Sequence, residues 1–187
     1  MQKSGSKSQS KSPILGMKKV FNANYAKNMA KGYDLKVTLK KNFKGYSLFA
    51  KKPIKKGNVI AYYKFLLYKY TNGFTGKKDD TYVMSVYGRT GRFNPHVIGD
   101  VYEGSLDLPK RNIPFWAYFS NEPSGDQIEN AFLDVDTKGN FRNRDRVKPG
   151  DTMIYKLVAS RNIKPGEEIC WCYGDSYERN YNANCDS

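Results

Sequence analysis

The stretch "EEICWCYGDSYERNY", residues 167–181, contains the residue types that are most able to do chemistry. Two cysteines flank Trp171, and paired cysteines suggest a metal site or thiol redox chemistry. Tyr173 precedes a Gly-Asp turn and Tyr177 follows it, which suggests a strand end that presents a phenol. The stretch therefore offers two kinds of chemistry, one at sulfur and one at a phenol oxygen.

The cysteines do not make up a metal site by number or spacing. The chain has three, Cys170, Cys172 and Cys185, and one histidine, His96. A closed zinc site needs about four ligands, so we interpret Cys170 and Cys172 as buried strand residues and predict no metal. The first residues have no apolar core of a secretory signal, so we expect a chain that is not secreted, in a reducing compartment with free thiols.

Other catalytic and binding motifs receive little support. No glycine stands upstream of "TGKKDD" at the spacing of a phosphate-binding loop, so Lys77 is not such a lysine. No Gly-x-Gly-x-x-Gly follows a predicted strand, which leaves a dinucleotide fold unsupported. His96 follows a proline in a loop and is interpreted as an exposed or capping residue. No apolar run reaches 18 residues, so no membrane span is predicted.

The positive charge of the chain is concentrated in its first third. The net charge is +14, and residues 1–56 hold 15 lysines against one acid, Asp34, whereas residues 57–187 hold 17 basic and 17 acidic residues. Residues 1–20 are predicted to be a flexible basic arm. The excess charge fits a non-specific contact with DNA through the N-terminal third, or a solubilising surface, and the two interpretations stand nearly even.

The elements that must position these residues are short strands. Period-2 alternation or β-branched and aromatic runs predict strands in "LKVTL", "YSLFA", "VIAYYKFLLYKY", "TYVMSVYG", "AFLDV", "TMIYKLVASRNI" and "ICWCYG". The segment "RTGRFNPHVIGDVYEGS" is predicted to be rich in loops, and helical periodicity is not convincing anywhere. The sequence therefore predicts a mainly-β domain with irregular connections.

Three separated stretches resemble one known family when they are taken in order. They are "KGYSLFAKKPIKKGNVIAYY", "YFSNEPSGDQIENAFL" and "LVASRNIKPGEEICWCYG". Together they resemble the SET-domain protein lysine methyltransferases, and "CYGDSY" looks like the ending of the PR/SET branch. The resemblance implies a mainly-β SET domain over residues 33–181, built of several small sheets with a threaded C-terminal segment. It also implies a variable, substrate-facing insert at 64–115 and a tail at 182–187.

The resemblance also implies a role for particular residues. Tyr173 is the expected catalytic phenol, and Tyr63 is expected to assist it. The cofactor-binding positions are expected at Gly45, Tyr46, Ser47, Tyr82, Tyr118, Asn121, Glu122 and Tyr173. The substrate lysine channel is expected at Tyr62, Tyr63, Trp171 and Tyr177, where Tyr62 is the weaker alternative to Tyr63. Ser47, Tyr118 and Glu122 replace the glycine, arginine and histidine usual in the family, and Asn130 matches its later asparagine.

The activity implied by the resemblance is transfer of a methyl group from S-adenosylmethionine to a neutral lysine amine. The expected substrate is a histone tail or another basic peptide, received by an acidic face that includes Asp79, Asp80, Asp100, Glu103 and Asp107. The large Trp171 ring favours mono- or dimethylation. Residues 178–187 contain one cysteine rather than a zinc-binding triplet, so no zinc is expected and Tyr177 is the expected lid.

Two other functions remain open at this point. One is a catalytically degenerate SET fold that only binds chromatin or a partner, which the departures at Ser47, Tyr118 and Glu122 favour. The other is a methyltransferase of a non-histone basic protein. A histone-directed enzyme is expected in the nucleus, and one directed at other proteins is expected in the cytoplasm.

Overall fold

The computed structural model describes residues 36–70, 82–87, 93–101, 110–135, 147–175 and 177–185. These residues form seven β-strands and one 3₁₀ segment. The strands are β1 (Val37–Asn42), β2 (Gly45–Ala50), β3 (Val59–Lys69), β4 (Met84–Tyr87), β5 (Phe93–Val101), β6 (Ala131–Val135) and β7 (Thr152–Ala159), and the 3₁₀ segment is Lys110–Phe119. The domain is mainly β with almost no helix, as predicted.

The strands form two sheets. β1 and β2 pair as an antiparallel hairpin, in which Asn42 lies opposite Gly45. Gly45 has a φ of 95°, in the left-handed region that favours glycine, so the tight turn before β2 requires this residue. The other five strands form one antiparallel sheet in the order β4-β5-β3-β7-β6.

The core is built on the two central strands, β3 and β7. Seven of the eight β7 residues are buried, as are most residues of β3, because each strand has a neighbour on both sides and is covered on both faces. Phe65 and Leu157, which are at most 1 % exposed, belong to this core. The 3₁₀ segment packs on β3 through its aromatic residues, which explains why "IPFWAYFS" is apolar without strand alternation.

Two predicted elements were wrong. β5 is a nine-residue strand in a segment that was predicted to be rich in loops. A Cβ at Gly99 would lie 3.2 Å from the Phe65 side chain, so glycine permits the close approach of this ring to β5. "ICWCYG" was predicted to be a strand but is extended chain that makes isolated bridges, among them Glu168 with Phe49.

Some predictions lie outside the described residues. These are the arm at 1–20 and four residues of the acidic face, Asp79, Asp80, Glu103 and Asp107. The fifth acid, Asp100, is 1 % exposed within β5, so it does not contribute a carboxylate to a solvent-facing surface.

Across the described ranges, no helix combines the length and apolar character needed to cross a membrane.

Candidate functional site

The site is organised by the chain that follows β7. Residues 161–173 run between β2 on one side and the segment 120–131 on the other. Ile169 donates its backbone N–H to Leu48 at 2.8 Å, and Trp171 donates its own to Asn121 at 3.1 Å. This backbone pairing fixes the direction in which the last aromatic side chains leave the chain.

Tyr173 is held from both its backbone and its side chain. Its backbone N–H donates to the Glu122 carboxylate at 2.7 Å, and its phenol donates to the Ser120 carbonyl at 3.0 Å. Its ring lies 4.9 Å, between centroids, from the rings of both Trp171 and Tyr177. Burial raises the pKa of Tyr173 far above its usual range, and neighbouring tyrosines add to the effect, so the phenol stays protonated at neutral pH.

A second group of aromatic rings comes from β3 and the 3₁₀ segment. Tyr63 lies 4.4 Å from Tyr118 and 5.9 Å from Trp171, both edge-to-face. Tyr82 lies 5.7 Å from Tyr118. Burial is also the main cause that raises the pKa of Tyr63 well above its usual range. The two groups are in contact through Tyr63 and Trp171. Together they form what we call the aromatic wall: Tyr63, Tyr82, Tyr118, Trp171, Tyr173 and Tyr177.

The other side of the site is polar and satisfied by its own hydrogen bonds. Asn121 donates through Nδ2 to Ser47 Oγ at 2.7 Å and to Glu168 Oε1 at 3.3 Å. Lys44 Nζ donates to the Glu122 carbonyl and to Gln127 Oε1, both at 3.0 Å. Ser47 is fully buried, and its Oγ is an acceptor that orients Asn121.

The aromatic wall and the polar side enclose a cavity of about 1010 Å³. Nine residues predicted for the site line it: Tyr46, Tyr63, Tyr82, Tyr118, Asn121, Glu122, Trp171, Tyr173 and Tyr177. Gly45, Ser47 and Tyr62 are not among the lining residues. Tyr62 is buried one position before Tyr63 in β3, and successive side chains of a strand point to opposite faces. Asn130 is buried and bonds to the backbone of Cys170 and Glu168.

Sequence reasoning missed several residues that line the cavity, namely Phe43, Gln127, Tyr181 and Asn182. Lys44, the first residue of the turn that resembles the family's cofactor-binding turn, also lines the cavity. Nothing in the local pattern identifies Gln127 or Asn182, because the chain brings them to the cavity from distant positions.

Glu122 connects the site to the end of the described chain, residues 177–185, which we call the closing segment. Its carboxylate is 3 % exposed and accepts bonds from Arg179 at 2.6 and 2.8 Å and from the Tyr181 phenol at 2.9 Å. Burial raises the pKa of this carboxyl, but the bonds from Arg179, Tyr173 and Tyr181 outweigh burial and hold the pKa below its usual value. Glu122 therefore fastens Tyr173 and the closing segment to one buried charge.

The closing segment is also fastened by a disulfide, which corrects the prediction that all three thiols are free. Cys172 is bonded to Cys185, whose Cα atom lies 5.9 Å away. Gly174, with a φ of 94°, reverses the chain, and Asn184 then bonds to the carbonyls of Pro123 and Gln127. Residues 182–185, assigned to a tail from the sequence, are thus anchored beside the cavity. Cys172 is partly exposed rather than a buried strand residue.

Reduction of this disulfide is expected to lower the free energy of unfolding. The bond closes a loop with a sequence separation of 13, and a loop of this size contributes about 3 kcal/mol by restricting the unfolded chain. Calorimetry with and without dithiothreitol should show a lower melting temperature in the reductant for the native chain. The Cys185→Ser variant should melt at the lower temperature in both buffers, and Cys170→Ala should respond like the native chain. An equal melting temperature of the native chain with and without dithiothreitol would contradict the expectation.

Cys170 is a buried residue with no reactive character. It is 1 % exposed, and burial raises the pKa of its thiol to about 12. Within the described ranges, no three residues of the metal-binding types His, Cys, Asp and Glu gather closely enough to hold a metal ion.

Comparison with known proteins adds a family to this geometry. The family model for the SET domain matches residues 45–174, which is more than half of the chain. A search of the curated proteins finds no match.

Solved structures with a similar fold include a Plasmodium falciparum protein described as a candidate histone methyltransferase, at 16% identity and a TM-score of 0.42. That match covers 76% of this chain and 96% of the other. They also include the methyltransferase domain of human PR domain-containing protein 2, at 18% identity and a TM-score of 0.43. This second match covers 81% of this chain and 86% of the other.

Proposed function

The chain belongs to the SET-domain family, and we propose that it is an S-adenosylmethionine-dependent protein-lysine N-methyltransferase. The observation that carries the proposal is the aromatic wall. Tyr63, Trp171, Tyr173 and Tyr177 come from widely separated parts of the chain and line one cavity, and each has a catalytic or channel role by resemblance to the family. A wall of this kind suits a lysine side chain that must lose its water and its proton before it accepts a methyl group.

The residues of the cavity fit the proposed methyl donor. S-adenosylmethionine has an aromatic base, a carboxylate and a sulfonium, and it would supply an activated methyl group on that sulfonium. Aromatic rings at Tyr46 and Tyr181, the Lys44 amine and the Asn121 amide offer matching contacts, and the volume of about 1010 Å³ is sufficient for a ligand of this size. We assign the donor to Tyr46, Tyr82, Tyr118, Asn121, Glu122 and Tyr173.

We assign the acceptor lysine to the aromatic wall. Burial against Tyr63, Trp171 and Tyr177 disfavours the charged ammonium, so the wall lowers the pKa of an entering lysine and favours the neutral amine. The O–H of Tyr173 donates a hydrogen bond to the Ser120 carbonyl, so the phenol oxygen can accept a hydrogen bond from the amine and orient its nitrogen. Protonated tyrosine is the form that can hold this arrangement at neutral pH.

For the substrate we propose a basic peptide, with a histone tail as the first candidate. β4 lies at the edge of the five-stranded sheet in the described part of the chain, and Met84 of this strand lines the cavity. An extended peptide added beside β4 would bring a lysine to the aromatic wall. A histone-directed enzyme would act in the nucleus, whereas a non-histone basic substrate would allow a cytoplasmic enzyme.

One observation favours the alternative of a SET fold without catalysis. Lys44 places its ammonium in the same cavity, bonded to Glu122 and Gln127, and a second cation there would oppose a sulfonium at close range. The same amine would attract the carboxylate of the donor if the sulfonium lies farther away. Titration calorimetry with S-adenosylmethionine separates the two functions. Binding of the donor favours the methyltransferase, and the absence of binding favours the non-catalytic alternative.

The proposal is tested by incubating the full chain with radiolabelled S-adenosylmethionine and core histones, followed by mass spectrometry of the products. We expect label on lysine, as mono- and dimethyllysine, because Trp171 fills space beside Tyr173. Trp171→Phe should shift the products toward higher methylation. Absence of both donor binding and label on histones and on total cell protein would reject the proposal, and efficient trimethylation by the native chain would reject the expected product.

A further inference from the structure

The β1–β2 hairpin and the turn that follows it form an unusually basic surface. Residues 36–56, which we call the basic hairpin, contain eight lysines and no aspartate or glutamate. Six of these lysines are exposed: Lys40, Lys41, Lys51, Lys52, Lys55 and Lys56. Residues 57–187 have no net charge, so the positive charge of the basic hairpin is a local feature and not a property of the rest of the domain.

Two acidic residues, Glu167 and Glu168, adjoin the basic hairpin. Glu167, which accepts a backbone bond from Ala50, forms an ion pair with Arg161. Glu168, which bridges to Phe49, accepts bonds from Asn121 and Gln127, and its carboxylate lies 4.0 Å from the Nζ of Lys44, a partly buried lysine of the basic hairpin. Among the described residues, neither carboxylate pairs with Lys40, Lys41, Lys55 or Lys56, so these four exposed lysines contribute positive potential at the hairpin.

Aromatic rings are interleaved with the lysines of the basic hairpin. Lys40 Nζ lies 4.7 Å from the centre of the Phe49 ring, and Lys41 Nζ lies 5.3 Å from that of Tyr46. These contacts order the lysine stems and lower the entropy lost when the ammonium groups are fixed by a partner. Phe43, at the hairpin turn, is 89% exposed.

We propose that the basic hairpin binds double-stranded DNA through its phosphates, without recognition of sequence. Duplex DNA carries one charge for about every 1.7 Å of axis, so exposed ammonium groups that contact its phosphates gain affinity by releasing its counterions. The exposed cations are all lysine, whose compact charge suits phosphates rather than the bidentate reading of bases that arginine provides. The inference does not depend on the proposed methyl transfer, since Lys55 and Lys56 do not line the cavity.

The test is the salt dependence of binding to a fluorescent DNA duplex, measured by anisotropy with the full chain. The double variant Lys55→Gln/Lys56→Gln is compared with Lys69→Gln/Lys148→Gln, which removes the same charge from exposed positions outside the basic hairpin. Each lost phosphate contact reduces the magnitude of the slope of log K against log salt by about 0.9. The Lys55→Gln/Lys56→Gln variant should therefore have a slope smaller in magnitude by about 2, and it should bind roughly tenfold more weakly. The control variant should keep the native slope.

Three results would overturn the inference. The first is equal loss of affinity in both variants, which would assign the binding to net charge alone. The second is tighter binding to polyglutamate or to double-stranded RNA than to DNA at the same salt concentration. The third is tighter binding to anionic vesicles. Circular dichroism confirms that both variants fold, and methylation of a free peptide by the basic-hairpin variant should equal that of the native chain.

Discussion

The Tyr173→Phe variant is expected to transfer methyl groups roughly 100- to 1,000-fold more slowly than the native chain, which is the loss typical when one oriented polar group is removed from a reaction site. The substitution removes only the phenol oxygen. The ring keeps its contacts with Trp171 and Tyr177, and the backbone N–H keeps its bond to Glu122. The measurement is kcat and KM for a peptide substrate at saturating S-adenosylmethionine.

The expected loss lies in kcat, because the phenol orients the amine and does not supply most of the peptide's contact area. Tyr68→Phe is the matched control: it removes a phenol from β3 at a residue that does not line the cavity. Calorimetry should give the same donor affinity for Tyr173→Phe and the native chain to within a few-fold. Full activity in Tyr173→Phe would remove this residue from the proposed catalytic role.

The strands that were predicted correctly have patterns that depend only on their own residues. "LKVTL" alternates, and "TMIYKLVA" is apolar apart from its threonine and Lys156, as expected for a strand covered on both faces. β5 could not be predicted this way, because it contains Pro95 and Gly99, two residue types that are uncommon inside strands. Local propensity was overridden by pairing with β3 and β4.

The candidate site depended on the resemblance to a family, and its network depended on contacts between distant residues. Tyr63 and Tyr173 could be nominated because motifs surround both of them. The pairing of Glu122 with Arg179 joins residues 57 positions apart, and no local pattern encodes it. The disulfide was missed for the same reason, since the reversal at Gly174 is what brings Cys185 to Cys172.

Glu122→Gln is expected to lower the free energy of unfolding by about 2–3 kcal/mol at neutral pH. Removing one member of a buried ion pair costs about 3–5 kcal/mol, and the lower figure applies because the Arg179 side chain is 21% exposed. Glutamine keeps the shape of the side chain, so the loss reports the charge. Urea unfolding of both proteins measures it, and Glu178→Gln, at an exposed residue of the closing segment, is the matched control.

The same substitution carries a pH signature that packing alone would not produce. Because the folded pKa of Glu122 lies below that of the unfolded chain, its contribution is complete above the unfolded value of about 4.3 and is lost as pH falls through the folded value. The difference in stability between the native chain and Glu122→Gln should therefore be constant from neutral pH down to about pH 5 and shrink below it. A difference that stays constant into strong acid would assign the loss to altered packing.

Glu122 is also expected to act on the proposed reaction as a positioning residue. It holds the backbone of Tyr173 and, through Arg179, the closing segment that supplies Tyr177 and Tyr181 to the cavity. Loss of its charge should therefore raise KM for the methyl donor more than it lowers kcat, the opposite of the pattern expected for Tyr173→Phe. Replacing both Glu122 and Arg179 by methionine should restore part of the stability, because no uncompensated charge remains. Should the single and double variants be equally unstable, the ion pair would not be what fastens the closing segment.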